Sequence, residues 1–292
     1  MNTNTSTTGM RKIALVAFPL LLALPLLLAT KSTAATVTIN DVNLFANNRT
    51  WYPDSADGAC IPIIKSGYSP ANDASLGIQS DAFDGGLLLV SGNDPFNPKI
   101  MPSGPTADLT GNQLTVGPKS FAGFKVTRFD RLLSSGIMRS LIKLENKKKK
   151  AVSSHLALDT GLGSDSYTGV RKASNGSKMN KSSRWVVTSD SATNPSDPVV
   201  TMAFFGKGKP KVKVRNLPLG PPRPSSDCIT VSFGKVKIPA RTTGYLLFFA
   251  DINTDNETGI SAAKKFNKKK LNSQLLAGIS KGVKKKVLNW DF

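Results

Sequence analysis

The sequence predicts an all-β protein, a large β-sandwich ending in two or three short helices. Three observations lead there. The acidic residues are 17 Asp against only Glu145 and Glu257, and scarcity of Glu removes a strong helix former. Short runs rich in Val, Ile and Phe recur along the chain, separated by clusters of Gly, Pro, Asn, Asp and Ser. Helical spacing appears only near the C-terminus. The 292 residues suffice for a sizeable core, and 39% hydrophobic with 20% charged residues excludes general disorder. Two Cys and one His exclude a disulfide-dense mini-scaffold, a Cys-rich metal centre and a multi-His site.

Residues 1–35 read as an address label. Arg11 and Lys12 precede the apolar run from Ile13 to Ala29, and Ser32 to Ala35 supply small residues for cleavage. The pattern predicts an export signal and a periplasmic, extracellular or cell-surface destination. A retained anchor is the alternative, although Pro19 and Pro25 interrupt a run that is short for a span. Residues 36–292 then form one sandwich domain, with a helical tail from about residue 259. In an oxidising compartment Cys60 and Cys228 are expected to pair as a disulfide, two buried free thiols being the other option.

From Thr36 to about Gly117, turn-forming residues dominate, and TVTI, CIPII and GGLLLV are the strand candidates. The polar stretch NNRTWYPDSADG reads as a loop, where Trp51 and Tyr52 would stack on a sugar or cover the sandwich edge. Beyond Phe121 the runs lengthen. FKVTRF and IMRSLIKL are joined by LLSSG, and IMRSLIKL reaches AVSSHLAL across ENKKKK, a charged hairpin loop. After the Gly- and Asp-rich DTGLGSDSYTG come SRWVV, PVVTMAFF, KVKVRNL, CITVSFGKVKI and TGYLLFFA. These have sandwich spacing. Between Phe233 and Val236 the apolar set changes parity, which predicts a one-residue bulge at Gly234. YLLFFA, apolar throughout, predicts a central strand covered on both faces. In the tail, Ile260, Ala263, Phe266, Leu271, Leu275, Ile279 and Val283 follow a helical period and should dock on the sandwich.

VTRFDRLLSSGIMRSLIKLEN, LALDTGLGSDSYTGV, SRWVVTSDSATNPSDPVVTMAFFGKG and the ending VLNWDF carry a resemblance. From Phe124 to Phe292 the chain resembles a family of exported bacterial β-domains related to the galactose-mutarotase-type supersandwich. The resemblance implies export and a supersandwich-like fold. It transfers no catalytic residue, and the Lys clusters depart from the family pattern.

Charge is uneven. Residues 36–110 hold eight Asp against Arg49, Lys65 and Lys99, a net of −5, whereas residues 111–292 carry +22. A field of that sign attracts polyanions, though it also serves solubility. In GKPKVKVR, the residues Lys209, Lys211, Lys213 and Arg215 would share one face of a strand with Val212 and Val214 opposite. Cations spaced by about 6.6 Å match the charge repeat of an extended polyanion. Lysines on an edge strand also deter sheet-to-sheet association. No cofactor is expected, with Ca²⁺ the one candidate: DINTDNETG sets Asp251, Asn253, Asp255 and Glu257 at alternate positions, as a calcium loop does. Capping of the helix that follows is the simpler reading. On an extended strand His155 and Asp159 lie about 13 Å apart, too far for a hydrogen-bonded pair. The sequence thus predicts an exported non-catalytic protein that binds an anionic polysaccharide or another extracellular polyanion. A carbohydrate-active enzyme on the same sandwich is the alternative.

Overall fold

The computed structural model describes residues 33–57, 60, 66–92, 98–217 and 227–292. The export-signal segment up to residue 32, and CIPII beyond Cys60, lie outside the described residues. The first eight strands are β1 (Ala35–Thr38), β2 (Leu44–Ala46), β3 (Arg49–Asp57), β4 (Ser66–Leu76), β5 (Leu88–Ser91), β6 (Lys99–Ile100), β7 (Thr106–Thr110) and β8 (Gln113–Phe121). Next come β9 (Phe124–Leu132), β10 (Met138–Glu145), β11 (Val152–Thr160), β12 (Gly169–Ala173) and β13 (Trp185–Ser189). The last are β14 (Val199–Ala203), β15 (Arg215–Leu217), β16 (Ile229–Ile238) and β17 (Thr243–Asn253). Two helices follow, α1 (Asn256–Lys264) and the single turn α2 (Lys281–Lys284), with a 3-10 turn at Lys265–Asn267. The protein is all-β with a short helical tail, as expected.

Three antiparallel sheets build the body. The largest runs β1-β7-β8-β9-β10-β17-β14-β13-β12, the second β15-β16-β11-β5-β6, and the third β2-β3-β4. The main core lies between the large sheet and the other two, and Phe233 of β16 meets Phe248 of β17 across it at 5.2 Å between ring centroids. Strand β17 shows why YLLFFA has no polar position. Leu246, Phe248, Ala250 and Ile252 enter that main core, while Leu247 and Phe249 enter a second core on the opposite face. The tail builds this second core with Ala263, Phe266, Leu271, Leu275, Ile279 and Trp290. Helix α1 can lie close because position 259 is Gly: a Cβ there would stand 2.8 Å from Cγ1 of Val199.

The bulge falls where parity predicts it. His155 pairs with Lys235 and Ala157 with Ser232, so β16 holds one extra residue, and Gly234 adopts φ +59°. Two expectations need correction. NNRTWYPDSADG is not a loop: most of it forms β3, whose Trp51 is fully buried and donates from Nε1 to the Gly136 carbonyl at 3.2 Å. A ring used this way has no face left for a sugar. ENKKKK is not a hairpin loop either, because β10 belongs to the large sheet and β11 to the second. It is a crossover between layers. Asn146 pins it, accepting from Lys148 N–H at 2.9 Å and donating to the carbonyls of Lys150 (2.9 Å) and Ile238 (3.0 Å).

Within the main core sits an ion pair. Arg128 and Asp130, both on β9, are fully buried with Nη2 3.2 Å from Oδ1. Ser140 donates to the same carboxylate, Arg128 donates to the Leu87 carbonyl at 2.8 Å, and its guanidinium lies 5.2 Å from the Tyr68 ring centroid. Burial above all, then the Asp130 charge, pushes the Tyr68 hydroxyl well above its usual value near 10. A pair so enclosed is costly to break from one side only.

Candidate anion-binding site

From Lys209 to Arg215 the chain alternates as the sequence reading requires. Lys209, Lys211, Lys213 and Arg215 are exposed, and Val212 and Val214 pack against the main core. The backbone, however, is not the expected strand. Only Arg215–Leu217 joins the sheet, as the edge strand β15. Upstream, the segment is tied to the tail: Lys211 N–H and Val212 N–H both donate to the Leu288 carbonyl, at 2.7 and 3.2 Å. Pro210 has no N–H to give a ladder, and Gly208 takes φ +139°. The regular 6.6 Å repeat therefore does not hold along this run. Lys211 Nζ donates to the Lys285 carbonyl, and Lys209 N–H donates to Asp291 at 3.3 Å.

Strand pairing adds cations that the sequence reading passed over. Arg215 pairs with Ser232, and beyond the bulge Lys235 and Lys237 of β16 are exposed while Val236 and Ile238 are buried. On β11, the exposed Ser153 pairs with Lys237 and the exposed His155 with Lys235. Arg215, Lys235, Lys237 and His155 thus share the outward face of the second sheet. Lys213 runs beside them, since a Cβ at Gly234 would lie 3.6 Å from its carbonyl oxygen. The alternation K-V-K in CITVSFGKVKI carried the signal for Lys235 and Lys237. Asp159, at the far end of β11, is buried and accepts from the Thr230 hydroxyl, well away from His155 along the strand.

The acidic turn is divided between separate tasks. Asp251 is buried on β17, with Oδ1 3.2 Å from Arg49 Nε and Oδ2 3.9 Å from Lys265 Nζ. Burial raises its carboxyl above the usual range, opposed by Arg49 and then Lys265. Asn253 is buried and donates to the Thr201 hydroxyl at 3.4 Å. Asp255 caps α1, accepting from Thr258 N–H and from the Thr258 hydroxyl, each at 2.8 Å. Glu257 is exposed on the first turn. Asp251 and Asn253 lie on β17, Asp255 is the cap of α1, and Glu257 stands on its first turn. Among the described residues no group of three His, Cys, Asp or Glu side chains forms a metal site.

The two cysteines are bridged, with Cα atoms 5.4 Å apart across 168 positions of sequence. The bridge ties the segment between β3 and β4 to the start of β16. Among the described residues no helix is long and apolar enough to cross a membrane.

Fold and surface define an antiparallel β-sandwich protein with a cationic outer face. No family model matches the chain, and no curated protein matches it. Among solved structures it is similar to a polysaccharide lyase, at 10% identity and a TM-score of 0.43 over 75% of this chain and 35% of the lyase. The chain therefore spans about a third of that protein's length. It is also similar to the Slr1438 protein from Synechocystis sp. PCC 6803, at 9% identity and a TM-score of 0.37 over 83% of this chain and 100% of that one.

Proposed function

We propose that the protein is exported and binds an anionic polymer, an acidic polysaccharide above all, without acting on it chemically. Lys209, Lys211, Lys213 and Arg215 form one margin of the surface, and Lys235, Lys237 and His155 extend it over the second sheet. The observation that carries the reading is the register that puts Lys235 and Lys237 on the face of Arg215. Cations spread over neighbouring strands meet an extended chain of charges better than a single row does, and each contact releases counterions. The disulfide fits an oxidising compartment and so supports export.

A second reading has its own support, because β15 is the edge of its sheet. Charges there would keep the edge from pairing with another molecule. Chromatography on heparin separates the two. Replacing Lys213, Lys235 and Lys237 by Gln should lower the eluting salt concentration and reduce the salt slope by about one per cation removed. Unchanged elution together with new aggregation would leave only edge protection.

A further inference from the structure

A second cationic feature lies apart from that outer face. A cleft of about 550 Å³ is walled by Lys119 and Pro118 of β8, Phe121, Ala122 and Gly123 at the β8–β9 turn, Lys125 of β9, Glu145 at the end of β10, and Lys147 and Lys148 of the crossover. Its four lysines come from three segments that meet only in the folded chain. One acid stands among them. Glu145 lies 3.4 Å from Lys143 and 3.7 Å from Lys147, so it occupies Lys147 and leaves Lys119, Lys125 and Lys148 without an ion pair among the described residues.

We infer that this cleft binds a compact, multiply charged oxyanion of the phosphate or sulfate ester class. Three features converge on that ligand. Leaving aside Lys119, the lining charge is positive by two, and ammonium groups gathered in one concavity repel one another until an anion neutralises them. The backbone of the crossover is held in place before any ligand arrives. Asn146 fixes the crossover on both sides, and Arg241 N–H donates to the Lys148 carbonyl at 3.2 Å. Lys119 borders the cleft but points elsewhere: it pairs with Val126, whose side chain is buried in the main core, and its Nζ lies over Gly104, outside the lining. Finally, the cleft is concave and local, which suits one small anionic group rather than a long polymer. Ammonium ions act there as point charges and need no planar partner. This site does not depend on the outer face of the second sheet.

Calorimetric titration of the full protein with inorganic pyrophosphate and, separately, with sulfate, at an ionic strength held constant with chloride, tests the inference. Saturable one-to-one binding is expected. Lys125→Gln with Lys148→Gln should weaken it about tenfold, by removing two charge-assisted contacts. Glu145→Gln should tighten it about threefold, since an acid facing the anion is lost. Stronger binding of pyrophosphate assigns a phosphate source, and stronger binding of sulfate a sulfate ester. Lys235→Gln with Lys237→Gln should leave this titration unchanged while lowering heparin retention, so the two sites are read separately. Titrations with no saturation above chloride, or equal losses from the cleft pair and the outer-face pair, would overturn the assignment.

Discussion

The side chain of Asn289 bonds in both directions with the backbone of Leu247. Its Oδ1 accepts from Leu247 N–H at 3.0 Å, and its Nδ2 donates to the Leu247 carbonyl at 2.7 Å. The same Nδ2 donates to the Phe204 carbonyl at 2.7 Å. Strand β14 ends at Ala203, and the Asn289 amide takes over as neighbour to β17 where that ladder stops. Trp290 follows, packing edge-on against Phe249 with Nε1 2.7 Å from the Leu247 carbonyl. The ending VLNWDF is thus a plug for the open flank of the central strand.

Asn289→Leu should cost about 2–3 kcal/mol, because it strands buried backbone groups while keeping the volume. Asn289→Asp should cost more, since a carboxylate can accept from Leu247 N–H but cannot donate to either carbonyl. Urea unfolding of the three proteins gives the order. Equal stability of Asn289→Leu and the parent would show that the apolar contacts of the tail suffice without the amide.

The bridge between Cys60 and Cys228 closes a long loop, and chain-entropy reasoning gives it about 5 kcal/mol as an upper figure. The double variant Cys60→Ala with Cys228→Ala should unfold at clearly lower denaturant. Peptide mapping without reductant should recover one linked pair from protein purified natively. Two freely alkylated thiols in that protein would contradict the bridge.

Asp255 links the helical tail to pH. The Thr258 N–H, then the Thr258 hydroxyl, hold its carboxyl below the usual 3.8. A depressed folded value means that the stabilisation is complete above the unfolded value and is lost as pH falls through the folded one. Asp255→Ala should therefore cost about 1 kcal/mol at neutral pH, a normal cap contribution. The gap between variant and parent should narrow once pH drops below the carboxylate range. A gap that stays constant into strong acid would assign the effect to helix propensity instead of the ionised cap.

Much of the second half was legible because alternation survives in it. FKVTRF and CITVSFGKVKI declare which residues are buried, the unbroken apolar run of YLLFFA declares a strand covered on both faces, and the parity change at Gly234 declares the bulge. The first half was less legible. Strands β3 and β4 are rich in Ser, Asp, Asn and Pro, and they are extended because Trp51, Tyr68, Ala71, Ala74 and Leu76 fill the main core. Such strand preference belongs to the setting rather than to the residues.

Alternation along one strand states which side faces a core, and the apolar spacing of the tail states that it must dock on the sandwich. Those features are local chemistry, and the chain alone was enough to read them. Which strands become neighbours is not local. ENKKKK would serve equally as a hairpin loop or as a crossover, and only the assembled layers made it a crossover. That choice brought Lys147 and Lys148 to the cleft that Lys125 lines, and the β15–β16 register brought Lys235 and Lys237 to the face of Arg215. The gathering of like charges is a property of the path in space, because Coulomb energy depends on distance and the sequence records only order along the chain.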